Sequence, residues 1–193
     1  MKRIAVYCGS ATPADGTYLE CAREVGRELA QRGIGVVYGG GRLGLMGALA
    51  DAALAAKGEV IGVIPQALVA AEVAHRGLSA LHVVHTMHER KQQFTDRSDG
   101  FLTLPGGTGT MDELWESLSW AQLGYHAKPV GLLNVAGYFD DLLSFVGRMG
   151  EVGFLRAEHR GLLIAERDLG RLLAAMAAHQ PSRPIIAMRA DEL

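Results

Sequence analysis

Residues 104–113 read LPGGTGTMDE, the stretch of this chain best supplied with groups that can do chemistry. Gly106, Gly107 and Gly109 let backbone amides converge on one point, and a helix opening near Thr110 adds its own unpaired amides and partial positive charge. Such a loop is a phosphate cradle. No G-x-x-x-x-G-K-[ST] run occurs in the chain, so a triphosphate site loses its main support and a monophosphate fits better. Glu113 closes the run with two readings open. Thr110 to Glu113 spells T-x-x-E, a capping box in which the glutamate bonds back to the N-cap amide. The chemical reading starts from cost: a carboxylate beside a phosphate cradle is unfavourable unless it faces something electron-poor, such as the anomeric carbon of a ribose losing its base. The loop thus suggests an N-glycosidase.

A second glycine run, GGGRLGLMG at 39–47, contains G-x-G-x-x-G at Gly39, Gly41 and Gly44. It follows the second strand instead of the first, and the nearest acid, Glu59, begins the next strand, so a dinucleotide site finds little support. A tight turn that lets a helix pack closely on the sheet serves any ligand, with Gly40 and Gly41 as candidate contacts. Ser10, beside Cys8 and Gly9 at the end of the first strand, is another. Cys8 reads as a small buried cysteine, since no histidine pattern marks it as a nucleophile. His82, His85 and His88 recur every third residue but straddle a strand-to-helix junction, so no metal site is expected. Glu89, Arg90 and Lys91, taken alone, read as the solvated first turn of a helix.

These loops need strands and helices to hold them. Apolar runs at 4–8, 34–38, 60–64, 81–85, 101–104, 130–133 and 162–165 read as buried parallel strands. Helical patterns at 18–32, 45–57 and 87–98 lie between them, the first two closed by Gly33 and Gly58. Strand–helix alternation predicts an α/β chain: a single-domain, doubly wound parallel sheet, Rossmann-like, with helices on both faces and ligands outside the carboxyl ends of the strands. Residues 180–193, with Pro181 and Pro184, read as a short tail on that domain.

Composition narrows the function classes. With 193 residues, 49% hydrophobic and 21% charged, the chain falls in the ordinary globular range. Its 19 basic and 21 acidic residues give no basic face, so no nucleic-acid partner is expected. No run free of Asp, Glu, Lys and Arg exceeds 12 residues, the length reached at 60–71, 77–88 and 100–111, below the ~20 a membrane helix needs. The opening MKRIAVYCGS breaks at Gly9 before a signal-peptide core forms. With Cys8 and Cys21 read as reduced thiols, the expected location is the cytoplasm.

Motifs over nearly the whole chain then resemble one known family. YCGS at 7–10, YGGGRLGLMG at 38–47, GVIP at 62–65, MHERK at 87–91, LPGGTGTMDE, WAQLG at 120–124 and KPVGLLN at 128–134 are similar to the LOG (Lonely Guy) family. Its members are cytokinin riboside 5'-monophosphate phosphoribohydrolases, many carrying an older label of lysine decarboxylase. The pairing of MxxRK with PGGxGTxxE is the specific part. The resemblance implies hydrolysis of an N6-substituted adenosine 5'-monophosphate to free base and ribose 5-phosphate, in a homodimer with neither metal nor cofactor. It puts the catalytic pair on Arg90 and Glu113, and nucleotide contacts on Lys91, Gly107, Thr108, Gly109, Thr110, Met111 and Asp112. Glu72 is similar to a substrate-contacting glutamate, in a flank, ALVAAEVAHRGL, that differs from the family's. Ser119 stands where many members have threonine.

Physical chemistry shapes those roles. Loss of a purine passes through an oxocarbenium-like state, which asks for one carboxylate near the ring and an activated water; Glu113 takes that role. Arg90 stays protonated and so orients ribose, phosphate or Glu113 instead of donating a proton. The competing expectation is a nucleotide or molybdenum-cofactor carrier of the same fold, which needs no hydrolytic glutamate. A decarboxylase needs a cofactor lysine, and only Lys2, Lys57, Lys91 and Lys128 are available.

Overall fold

The computed structural model describes residues 1–70 and 73–186. Strand and helix alternate throughout: β1 (Arg3–Tyr7), α1 (Gly16–Gln31), β2 (Gly35–Tyr38), α2 (Gly44–Ala55), β3 (Val60–Pro65), α3 (Gln66–Ala70), β4 (Ala80–Val84), α4 (Met87–Arg97), β5 (Phe101–Thr103), α5 (Thr108–Leu123), β6 (Val130–Leu133), α6 (Asp140–Glu151), β7 (Leu163–Glu166) and α7 (Leu169–Ala177). The strands form one sheet in the order β4-β3-β2-β1-β5-β6-β7, and every pairing is parallel. The chain winds outward from β1 to β4, then returns to the other side of β1 as β5. At that reversal the loops leaving β1 and β5 part to opposite faces and open a crevice, the usual ligand position in such sheets.

Burial on both faces explains why the strands read as continuous apolar runs. Along β1, Ile4, Val6 and Cys8 face one core with Val25 and Leu29 of α1, Leu45 and Leu49 of α2, and Leu172 and Met176 of α7. Ala5 and Tyr7 face the other, with Phe94 of α4, Leu114 of α5 and Phe139. The doubly wound architecture expected from the sequence is present. Among the described residues, no helix is long and apolar enough to cross a membrane.

Helix ends differ from expectation in instructive ways. Asp15 caps α1 by accepting from the Thr17 amide at 2.9 Å, which starts the helix two residues early, and Gly33 closes it at φ 68°. After α2 the left-handed residue is Lys57, at φ 61°, not Gly58. Gly58 is needed for space instead, since a Cβ there would sit 2.5 Å from the Ala30 Cβ. In the tail, the Ile185 amide donates to the Gln122 carbonyl at 2.9 Å, against the C-terminal end of α5.

The tightest helix contact is at Gly26, where α1 crosses α2. A Cβ at this position would lie 2.2 Å from the Leu49 carbonyl oxygen, and backbone cannot swing aside as a flexible side chain can. Gly26→Ala should therefore force the two helices apart, costing about 2–3 kcal/mol and lowering the thermal midpoint by about 4–12 °C. Thermal unfolding by circular dichroism checks this; a midpoint within 1 °C of the parent would show that the crossing is loose.

Candidate active site

The crevice at the β1/β5 reversal is a pocket of ≈ 400 Å³. Its polar side is Ser10 after β1, Gly39 and Gly41 after β2, Gly107 to Thr110 after β5, and the side chains of Arg90 and Glu113. Leu43, Met46, Ile64, Leu68 and Val73 form an apolar side. The lining thus offers amides that suit an anion together with apolar surface that suits an uncharged group.

The anion end is built by glycine. Gly107 is the N-cap of α5, no side chain caps the helix, and α5 begins at Thr108, two residues before the expected start. The first amides of the helix are without partners inside it and carry the positive end of its dipole. Gly106 lies so close to its neighbours that a Cβ would meet the Thr110 hydroxyl oxygen at 2.1 Å and the Gly9 amide at 2.8 Å.

Because Gly107 takes the cap position, Thr110 and Glu113 form no capping box, and the Glu113 side chain is free to face the pocket. A run of the same spelling does cap the preceding helix, though its glutamate reaches one residue past the N-cap amide. Thr86 caps α4 by accepting from the Glu89 amide at 3.1 Å, and Glu89 accepts from the His85 amide at 2.9 Å. With Glu89 held outside, Arg90 turns inward and is 9% exposed, not the solvated residue its neighbours suggested. Its Nε donates to the Val63 carbonyl at 3.1 Å and its Nη2 to the Gly39 carbonyl at 3.3 Å. The Phe94 ring lies 5.3 Å below its Cζ, leaving Nη1 to face Glu113 Oε1 at 3.6 Å. That separation is an ion pair without a direct hydrogen bond, so both groups keep capacity for a ligand.

Burial pushes the Glu113 carboxyl up from an ordinary 4.5 to about 7. Arg90 and Lys91 pull the other way, while Asp112 and Glu116 add to the rise. A carboxyl titrating near neutrality in a cleft is the property expected of a catalytic acid or base. Behind it, the Ser117 hydroxyl donates to the Glu113 carbonyl at 3.0 Å, so the buried Tyr7 hydroxyl, 3.0 Å from Ser117 Oγ, is the donor in that contact. His126 accepts the Lys128 amide on Nδ1 and therefore donates from Nε2 to the Ser117 carbonyl at 3.0 Å. Burial lowers its pKa to about 4 and keeps it neutral.

Of the residues expected at the site, Ser10, Gly41, Arg90, Gly107, Thr108, Gly109, Thr110 and Glu113 line one cavity. Gly40 does not line it; it makes the turn, at φ 73°, and its carbonyl accepts from His75. Lys91 binds Asp112 at 3.0 Å and Glu116 at 3.2 Å, joining α4 to α5 beside the pocket. Met111 packs in the core behind α5, and Ser119 is exposed further along the same helix. Glu72 lies outside the described residues. Glu59 pairs with Arg3 at 2.7 Å, at the amino edge of the sheet, opposite the pocket. Cys8 lines the pocket, and burial pushes its thiol well above the ordinary range. Tyr38 escaped the sequence reading: fully buried, it donates to the Gly41 carbonyl at 3.1 Å and braces the glycine loop. An aromatic residue directly before a glycine run was the available signal.

A family model described as "Possible lysine decarboxylase" matches residues 46–176. The chain is 46% identical to LOGL9 of Oryza sativa subsp. japonica, a "Probable cytokinin riboside 5'-monophosphate phosphoribohydrolase", over 180 residues, 93% of this chain and 79% of that protein. It is 41% identical to the phosphoribohydrolase LOG1 of Arabidopsis thaliana over 188 residues, 97% of this chain and 88% of that one. Among solved structures, the molybdenum cofactor carrier protein of Chlamydomonas reinhardtii superposes with a TM-score of 0.69 at 23% identity, over 91% of this chain and 95% of that chain.

The raised Glu113 pKa has a consequence for stability. Folded, the carboxyl holds its proton more tightly than in the unfolded chain, so the folded state loses stability as pH rises from about 4.5 through about 7. Glu113→Gln removes that burden and should be more stable than the parent at pH 8 by up to about 3 kcal/mol, with the two alike near pH 4. Urea unfolding at both pH values tests it; a variant no more stable than the parent at pH 8 would show that the carboxylate is not destabilised by its surroundings.

Proposed function

The chain belongs to the LOG family of cytokinin riboside 5'-monophosphate phosphoribohydrolases, and we propose that its pocket hydrolyses the N-glycosidic bond of N6-substituted adenosine 5'-monophosphates. The products are the free base and ribose 5-phosphate. One observation carries this reading: the helix-start amides of Gly107 to Thr110 and the Arg90–Glu113 pair line the same cavity. A nucleoside monophosphate has a part for each of these surfaces. Its phosphate suits the amides, its ribose the carboxylate, and its base the apolar side formed by Leu43, Met46, Ile64 and Val73.

In the reaction the C1'–N9 bond breaks with its electron pair leaving on the purine, and positive charge develops on the sugar. Ionised Glu113 stabilises that charge and orients water; the water's hydroxyl ends on C1' and its proton on the base. Arg90 cannot supply that proton. Fixed by two carbonyls, it holds Glu113 and the ribose phosphate in register. A lysine decarboxylase reading has no residue to work with, since no lysine is among the described residues lining the pocket. Lys91 is engaged by Asp112 and Glu116, and Lys128 donates to the Thr95 carbonyl.

The working form we propose is a homodimer in the cytoplasm. Val83 and Met87, each 45% exposed, offer apolar surface beside α4, and both thiols are free, as suits a reducing compartment. Size-exclusion chromatography with light scattering should give about twice the 20.6 kDa chain mass.

Incubation of purified protein with N6-isopentenyl-AMP and with AMP should release free base; no release from any nucleotide in a substrate panel would sink the hydrolase reading. Binding without turnover would move it to a carrier of the same fold. Glu113→Gln should keep nucleotide binding and lose turnover by ~100-fold or more. Because the ionised carboxyl is the working form, kcat/KM should rise with pH through a limb near 7 in the parent.

A further inference from the structure

After β6 the chain makes a turn that a random sequence would avoid. Ala136 sits at φ 50°, ψ 25° and Gly137 follows at φ 75°, two left-handed residues in succession, the first bearing a Cβ that disfavours the conformation. The surroundings hold the turn in place. Asn134 Oδ1 accepts from the Phe139 amide at 2.8 Å, Asn134 Nδ2 donates to Asp140 at 2.6 Å, and Arg167 donates to both Asp140 oxygens at 3.0 and 3.1 Å. Strain maintained by several independent contacts marks a position whose geometry serves a purpose beyond the turn.

The turn delivers Tyr138. Its ring makes edge contacts with Tyr18, centroids 5.6 Å apart, and with Phe139 at 4.9 Å. Its hydroxyl donates to the Gly106 carbonyl at 2.7 Å. The Gly106–Gly107 peptide lies between two residues without Cβ, so no side chain of its own residues fixes its plane. In a planar trans peptide the carbonyl and the following N–H point in opposite directions. A bond that fixes the Gly106 oxygen therefore fixes the Gly107 N–H on the other side, and Gly107 lines the pocket while Tyr138 does not.

We propose that Tyr138 is a positioning residue for the phosphate end of the site: its hydrogen bond to the Gly106 carbonyl locks the Gly106–Gly107 peptide plane so that the Gly107 amide faces the anion. The inference rests on the reading of this pocket as a nucleoside monophosphate site. Tyr138 touches no reacting atom, so its effect falls on phosphate affinity and leaves contacts to the ribose and base alone.

Calorimetric binding of AMP and of adenosine, compared between Glu113→Gln and the double variant Glu113→Gln/Tyr138→Phe, separates the possibilities. Loss of the hydroxyl should weaken AMP about 5–10-fold, the worth of one hydrogen bond, and leave adenosine within about twofold. Tyr138→Leu, which also removes the ring contacts, should show the same phosphate-selective loss with a lower thermal midpoint. Equal weakening of both ligands, or none of either, overturns the assignment. Because binding is read without turnover, a protein that binds AMP but hydrolyses no nucleotide would defeat the hydrolase reading and leave this one standing.

Discussion

A guanidinium taken out of water must be surrounded by acceptors, and the arrangement of this site follows from how that requirement is met for Arg90. Water cannot reach it freely, and an unpaired buried charge is unfavourable by several kcal/mol. The acceptors are the carbonyls of Val63 on β3 and Gly39 after β2, with the Phe94 ring beneath. Two strand ends must therefore stop at defined heights, and the glycine run must leave room: a Cβ at Gly39 would lie 2.3 Å from Arg90 Nη2. The second glycine loop is thus less a ligand motif than a socket for an arginine.

The carboxylate opposite is left deliberately short of partners. Arg90 reaches it only at 3.6 Å, and burial dominates, lifting its pKa to about 7. A tighter pair would have stabilised the fold and held the carboxyl ionised, but it would also have spent both groups on each other. The gap keeps one N–H edge and one carboxylate available for a ligand, and in the proposed reaction that ligand's sugar becomes positive only as the bond breaks. Differential stabilisation of that state, and not of the resting nucleotide, is what accelerates a reaction.

Much of this was readable in the sequence, for physical reasons that also set its limit. Strands buried on both faces announce themselves as apolar runs, and the glycine-rich loops announce tight backbone, so the sheet and the tight turns at its ligand edge were legible. The two T-x-x-E runs were not distinguishable. At 86–89 the threonine is the N-cap, accepting from the Glu89 amide, and the Glu89 carboxylate holds the His85 amide just before it; at 110–113 Gly107 already ends the loop, so the same letters fall inside the helix. The resemblance puts Lys91 among the nucleotide contacts; its two carboxylate partners come from α5, and only the packing of α4 on α5 reveals them. Tyr138 left no local signal, because its partner is 32 residues away and is a backbone carbonyl whose identity no sequence pattern encodes.

The same reasoning explains how one sheet serves unlike purposes. The Chlamydomonas carrier shares the architecture at 23% identity, and identity that low speaks to the fold alone. What the reversal between β1 and β5 provides in any such chain is a crevice with helix-start amides at one side, enough to hold an anion. The hydrolysis proposed for this chain asks for an addition that the fold does not dictate: a carboxylate kept out of water, facing a charge that cannot give up its proton, at a distance too long for the two to satisfy each other. In this chain that addition depends on single residues, Arg90 turned inward by the cap at Thr86 and Glu113 released by the cap at Gly107. The net charge of -2 has little bearing on it, because the field that matters arises within a few ångströms of one buried pair.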